Sequence, residues 1–335
     1  MTKLLELYIP LVGLVLLGLI LGSKLPKVVS VYLGKFLFWI GVPVSNVAFL
    51  RRADLSAPIW IAPIVAWGAI LLGASLAWAW INWQAYLEGK GRGGRGGRGS
   101  RGGDREQGND FRCSNALSSV WSQPTQGSFI LAAMVGNTGY LGYPVTLAFV
   151  GTQYFALALF YDLLGTTLAA YGLGVVLAAH FGRGVQSHWQ LIQALLINPT
   201  LWSFGFGLAC RQLPLPTAVE VSLHRLAWTI VALSLVLIGM RLSQLNSWHS
   251  LPQASISLGI KMLLVPLILG SSLSLFGLRG STQLVIVLQM AMPPAFATLV
   301  ISEAYNLDRD LTVTALAAGS AALLVTLPIW LWLFG

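Results

Sequence analysis

Two short stretches place chemistry-bearing residue types inside long apolar runs. One reads Ala133-Met134-Val135-Gly136-Asn137-Thr138-Gly139-Tyr140-Leu141-Gly142-Tyr143-Pro144-Val145 and the other Leu288-Gln289-Met290-Ala291-Met292-Pro293-Pro294-Ala295. Proline lacks a backbone donor and clashes with the preceding turn, so each stretch is expected to split a helix into two half-helices. Pro144 and Pro294 each suit the first turn of a second half-helix. Such an N-terminus carries free N–H groups and roughly half a positive charge, so two of them meeting would make a carboxylate site. Asn137 adds an amide able to donate and accept. Gly136, Gly139 and Gly142 would let the backbone approach a ligand closely.

Other candidates are fewer. Asp162 lies inside an apolar run, with Thr166 one turn on along the same face. A carboxylate there is costly and usually functional, so Asp162 is a candidate for proton uptake or cation binding, or else a buried Asp bonded to a neighbouring hydroxyl or backbone. Val42-Pro43-Val44-Ser45-Asn46 is expected to break a third helix beside two small polar side chains. Lys261 is expected to snorkel to the headgroups. Glu220 and His224 share a face at i, i+4, next to Arg225, and read as a solvated interfacial cluster.

The elements that must position these residues are membrane spans. The chain has 335 residues, 56% of them hydrophobic and only 9% charged, with a mean hydropathy of +0.74. Ordinary soluble chains run about 25% charged, so a water-soluble domain is excluded. Apolar runs of about 20 residues, the length that crosses roughly 30 Å of hydrocarbon, recur from end to end. They fall at 5–22, 33–50, 59–81, 128–150, 154–180, 190–210, 217–240, 255–277, 282–304 and 308–334, giving an all-α polytopic protein of ten spans. The first run lacks a cleavage site of the signal-peptide type and reads as a retained span.

Ten spans put both termini on one side. One face collects Lys24, Lys27, Lys35, the basic residues between Lys90 and Arg112, Arg183, Arg241 and Arg309; the other collects Lys3, Arg51, Arg52, Arg211, Arg225 and Arg279. The positive-inside rule makes the first face cytoplasmic and both termini external, in a plasma (inner) membrane. The net charge of +9 therefore reports topology rather than a specific nucleic-acid partner. The linker contains Gly91-Arg92-Gly93-Gly94-Arg95-Gly96-Gly97-Arg98 and is expected to be a disordered cytoplasmic tether. Cys113 and Cys210 fall on opposite sides in this topology and should not pair, and no metal-ligand spacing or cofactor motif occurs.

Five spans on either side of residue 188 is an odd number, so a duplicated five-span unit inserts in opposite orientations, the inverted repeat of many secondary transporters. The organisation is then 1–83, spans one to three; 84–125, linker; 126–187, spans four and five; and 188–335, the second repeat. Both interrupted stretches fall at corresponding positions, in spans four and nine.

At these residues the sequence resembles the auxin efflux carriers, which include bacterial permeases and plant PIN-formed exporters. The matching motifs are Gly136-Asn137-Thr138-Gly139, Leu141-Gly142-Tyr143-Pro144, Gln289-Met290-Ala291-Met292-Pro293-Pro294, Glu303-Ala304-Tyr305-Asn306 and Leu327-Pro328-Ile329. The resemblance implies two inverted five-helix repeats with broken crossover helices four and nine. It also implies an elevator-like transport domain, a scaffold that dimerises through spans two and seven, and a substrate site that includes the region of Ser45 and Asn46. The chain departs from the plant type in having its long loop between spans three and four and no charge in span three, so a bacterial-type organic-anion permease fits better.

The expectation is a secondary transporter, not an enzyme. It would bind a small organic anion at Asn137 and the backbone of Gly139, Pro144, Pro293 and Pro294, with Gln289, Ser45 and Asn46 shaping the pocket. The chain lacks a G-x-x-x-x-G-K-[ST] motif for ATP and any H-E-x-x-H. A membrane sensor that binds the same anion without moving it would use the same residues.

Overall fold

The computed structural model describes residues 2–55, 59–93, 121–182, 196–197, 199–243 and 250–335. Most of the linker, residues 94–120, and the repeat boundary near 188 lie outside the described residues, as does Cys113. Among the described residues the chain is helical, without a strand.

The elements in chain order are α1 (Thr2–Lys24), α2 (Lys27–Leu50) and α3 (Ile61–Gly93). Then come α4 (Gln123–Met134) and α5 (Tyr143–Phe149), α6 (Thr152–Phe181), α7 (Pro199–Ala209) and α8 (Thr217–Leu242). The last four are α9 (Leu251–Leu275), α10 (Ser281–Met290), α11 (Phe296–Ala304) and α12 (Arg309–Phe334). Helices α2, α6, α8, α9 and α12, with α3 as far as Leu87, make six that are long and apolar enough to cross a membrane. Their outward faces are apolar: Ile64, Leu71 and Trp78 form an exposed stripe at seven-residue intervals on α3. Such a surface suits lipid, not water. The protein is a multi-pass membrane protein.

Helices α4 and α5 together occupy the position of span four, and α10 and α11 that of span nine; each pair is interrupted where the glycines and prolines fall. Helix α3 runs on to Gly93, so the first part of the expected linker continues the helix. Small residues let the helices close up around the breaks. A Cβ added at Gly73 of α3 would strike the Ala133 carbonyl, and one at Gly319 of α12 would lie 2.8 Å from Pro293 Cβ. Gly18 meets Val236 and Gly239 while Gly22 meets Met240 and Ser243, so α1 and α8 lie parallel in close contact. Asn306 takes the left-handed conformation, φ 52°, in the turn between α11 and α12, a geometry asparagine tolerates better than most residues.

The proline of α2 corrects an expectation. Pro43 does not break the helix, because a π-helical turn at Leu37–Gly41 precedes it. The same arrangement recurs with Thr138–Gly142 before Pro144 and Ile260–Leu264 before Pro266. The wider turn shifts hydrogen bonding by one residue and absorbs the donor that proline lacks. At Pro266 the carbonyl four residues back, Met262, accepts from the Trp330 indole over 3.2 Å.

Candidate functional site: the meeting point of two interrupted helices

Helix α4 ends at Met134, and the chain then runs extended through Val135 to Asn137. Helix α10 ends at Met290, and Ala291–Ala295 leads to α11. The two gaps meet. Asn137 N–H donates to Pro293 O over 2.7 Å and Ala295 N–H to Val135 O over 3.0 Å, and Gly136 and Pro294 form an isolated antiparallel bridge. Unwound backbone at this depth is tolerable only where protein satisfies it, and each gap satisfies part of the other.

Asn137 closes the start of the second half-helix. Its carbonyl accepts from both Leu141 and Gly142 N–H, at 3.2 and 3.1 Å, and its side-chain Oδ1 accepts from Tyr140 N–H at 3.3 Å. The half-helix therefore opens at Thr138, through the π turn, and not beside Pro144 as the sequence suggested. Pro144 is buried one turn further on.

A cavity of about 380 Å³ fronts both new helix starts. Its walls include Asn137, Thr138, Gly139 and Tyr140 from one break, Ala295, Phe296 and Ala297 from the other, and Asp162, Phe38, Trp39 and Arg241. The volume is ordinary for a small-molecule site. A second lobe of about 360 Å³ shares Asn137, Tyr140, Arg241 and Phe296 and extends to Lys27, Ser30 and Arg309. The Arg241 guanidinium lies 3.3 Å from the centre of the Phe296 ring. Stacking of this kind orients the planar fork and leaves its edge N–H groups available. Two helix N-termini and a guanidinium face one space, which can neutralise a carboxylate without any metal ligand.

Of the residues singled out from the sequence, the structure brings Gly136, Asn137, Gly139, Asp162 and Thr166 to the cavity wall. Asp162 is held from the break: Thr138 Oγ1 donates to its Oδ1, and Tyr143 OH to its Oδ2 over 2.7 Å. Its partner hydroxyls thus come from another helix rather than from Thr166. Pro293 and Pro294 shape the backbone of the break behind the wall.

Gln289, Ser45 and Asn46 line neither lobe. Gln289 is fully buried, donates to Thr146 Oγ1 over 3.0 Å and packs where a Cβ on Gly142 would stand. Asn46 donates to Ser203 Oγ over 3.1 Å, joining α2 to α7. Glu220 pairs with Arg52 over 3.7 Å at an exposed surface. Lys261 corrects a second expectation: α9 begins earlier than the hydropathy pattern suggested, so Lys261 lies deeper and is only 1% exposed, unable to snorkel. Sequence reasoning missed Arg241, Tyr140 and Phe296, and counted Arg241 only as a topology signal.

A family profile described as "Membrane transport protein" matches residues 119–331, more than half of the chain and all of both interrupted helices. The chain belongs to this membrane transport protein family. It is the auxin efflux carrier-type family to which the two motifs pointed. Among curated relatives, an uncharacterized transporter of Methanothermobacter thermautotrophicus is 28% identical over 330 residues, covering 97% of this chain and 96% of its own. An uncharacterized transporter of Methanocaldococcus jannaschii is 29% identical over 215 residues, covering 62% of this chain and 68% of its own. The match to this transport family takes in every residue from Gly136 to Pro144 and from Gln289 to Pro294.

Proposed function

We propose that this member of the membrane transport protein family is a secondary transporter that moves a small organic anion by elevator-type alternating access, with two inverted five-helix repeats as its frame. The observation that carries the reading is the cavity fronted by two helix starts, at Thr138–Tyr140 and Ala295–Ala297, with Arg241 on the same wall. Each helix start contributes partial positive charge and free N–H groups, and Arg241 a full charge with a planar pair of donors. Asn137 serves as an adaptable polar contact, and the aromatic rings of Phe38, Trp39, Tyr140 and Phe296 accommodate the organic part of the anion.

The antiparallel passage of the two breaks at Gly136 and Pro294 supports the inverted repeat, because duplicated units inserted in opposite senses would cross in that way. Parallel packing of α1 and α8 fits spans one and seven, which run in the same direction in the ten-span plan. The lobes reach Lys27, Lys35 and Arg309, on the face that positive charge assigns to the cytoplasm. The cavity in this reading is open to the cytoplasm, with both termini outside.

The test uses purified protein in two steps. A melting-temperature screen against mono- and dicarboxylates should find ligands that stabilise the protein, since whatever binds the native state raises its midpoint. Labelled ligand should then exchange across proteoliposomes in counterflow. No carboxylate-dependent shift would remove the anion site, and binding without exchange would make the protein a sensor instead of a carrier.

A further inference from the structure

Lys261 is the one described lysine, other than those whose side chains are not described, that is wholly enclosed, and it sits in the π turn of α9 at Ile260–Leu264. It lies directly against the break in span four: a Cβ added at Gly136 would stand 3.0 Å from Lys261 Cε and 3.2 Å from its Nζ, and 3.4 Å from Met292 O. The amine and a carbonyl of the second break thus flank the same glycine. The ion pairs of Arg52 with Glu220 and of Arg309 with Glu303 are both exposed, and neither includes Lys261. Nor do three His, Cys, Asp or Glu side chains gather anywhere among the described residues.

The two half-helices α4 and α10 end at this point, at Met134 and Met290. Helix C-termini carry partial negative charge, and in broken-helix carriers the unwound carbonyls and C-terminal ends are where a cation is coordinated. We propose that the Lys261 ammonium is the protein's own cation at the crossing, occupying the place where a monovalent metal ion would otherwise be bound. The inference rests on the crossing being the transport site. Anion-attracting helix starts then face the cavity on one side of the crossing, and Lys261 balances the helix ends on the other.

The test is the melting temperature of the purified protein, without any carboxylate, in N-methylglucamine chloride against sodium, lithium or potassium chloride at equal ionic strength. The wild-type midpoint should be the same in all four. Lys261→Asn, which removes the charge and leaves room and an oxygen ligand, should gain a saturable rise of about 2–4 °C with one of the metal ions. A saturable rise in the wild type would overturn the proposal, as would a folded Lys261→Asn indifferent to all three ions. Should the variant fail to purify in N-methylglucamine, recovery when a metal chloride is present throughout extraction supports the proposal, and failure in every salt overturns it. Because the series omits carboxylates, its failure leaves the anion cavity standing, and a failed carboxylate screen leaves this result intact.

Discussion

Asn137 donates its backbone N–H to the carbonyl of Pro293 over 2.7 Å. Through this bond the start of one half-helix is positioned by the residue that interrupts the other helix, so the two breaks form one object. The side chain of Asn137 remains at the cavity wall while its backbone builds the crossing.

Asn137→Ala should therefore keep the backbone bond to Pro293 and lose the cap on Tyr140. The expected result is a folded protein destabilised by about 1 kcal/mol, the usual cost of a lost cap. Counterflow of any carboxylate that stabilises the wild type should be lost. Unchanged exchange in proteoliposomes would remove Asn137 from the site.

Arg241→Gln should leave folding intact and weaken carboxylate binding by about ten- to a hundredfold, since a charge-assisted pair becomes a neutral contact. Arg241→Lys should recover only part of this, because an ammonium cannot reproduce the planar stack on Phe296. Titrations of the ligand-induced melting shift give the comparison directly. Equal affinity in all three proteins would place the anion elsewhere.

The Asp162 carboxylate accepts from two hydroxyls, Thr138 and Tyr143. An amide is neutral and has one acceptor oxygen, its NH2 able only to donate to the other hydroxyl, so Asp162→Asn should weaken both contacts and cost about 1–3 kcal/mol. Thr138→Val and Tyr143→Phe should each cost less in the Asp162→Asn background than alone, because the partner is already impaired. Additive costs in chemical denaturation would mean that these groups do not act together. Exchange by Asp162→Asn should also cease to respond to an imposed pH gradient, and an unaltered response would exclude Asp162 from coupling.

Gly142 and Gln289 form a steric pair. A methyl group on Gly142 would overlap the Gln289 carboxamide, which is fully buried and tied to Thr146. Gly142→Ala alone should cost about 1–3 kcal/mol through overpacking. In a Gln289→Ala background the same change should cost much less, and melting curves of the four proteins close the cycle. An equal cost in both backgrounds would show that Gln289 does not set the limit.

Adjacent residues were enough to locate the interruptions of spans four and nine, though not the point at which the second half-helix of span four opens, and they wrongly suggested a third break at Pro43. Gly136, Asn137, Pro144, Pro293 and Pro294 act through local backbone chemistry, a missing N–H or a missing Cβ, and local chemistry is written in adjacent residues. For the same reason the long apolar helices could be placed from hydropathy, though α3 runs on to Gly93, well past the expected end of span three at 81. Which groups share a space follows from the packing of the helices and from nothing more local. Arg241 reaches the cavity from the end of a helix that, read alone, offers just a charge near a membrane face. Lys261 is enclosed because α9 begins a turn earlier and turns its side chain onto Gly136, and Gln289 is drawn to Thr146, away from the cavity. Those outcomes depend on contacts between residues far apart in the chain, whose geometry follows from helix packing and leaves no local pattern to read.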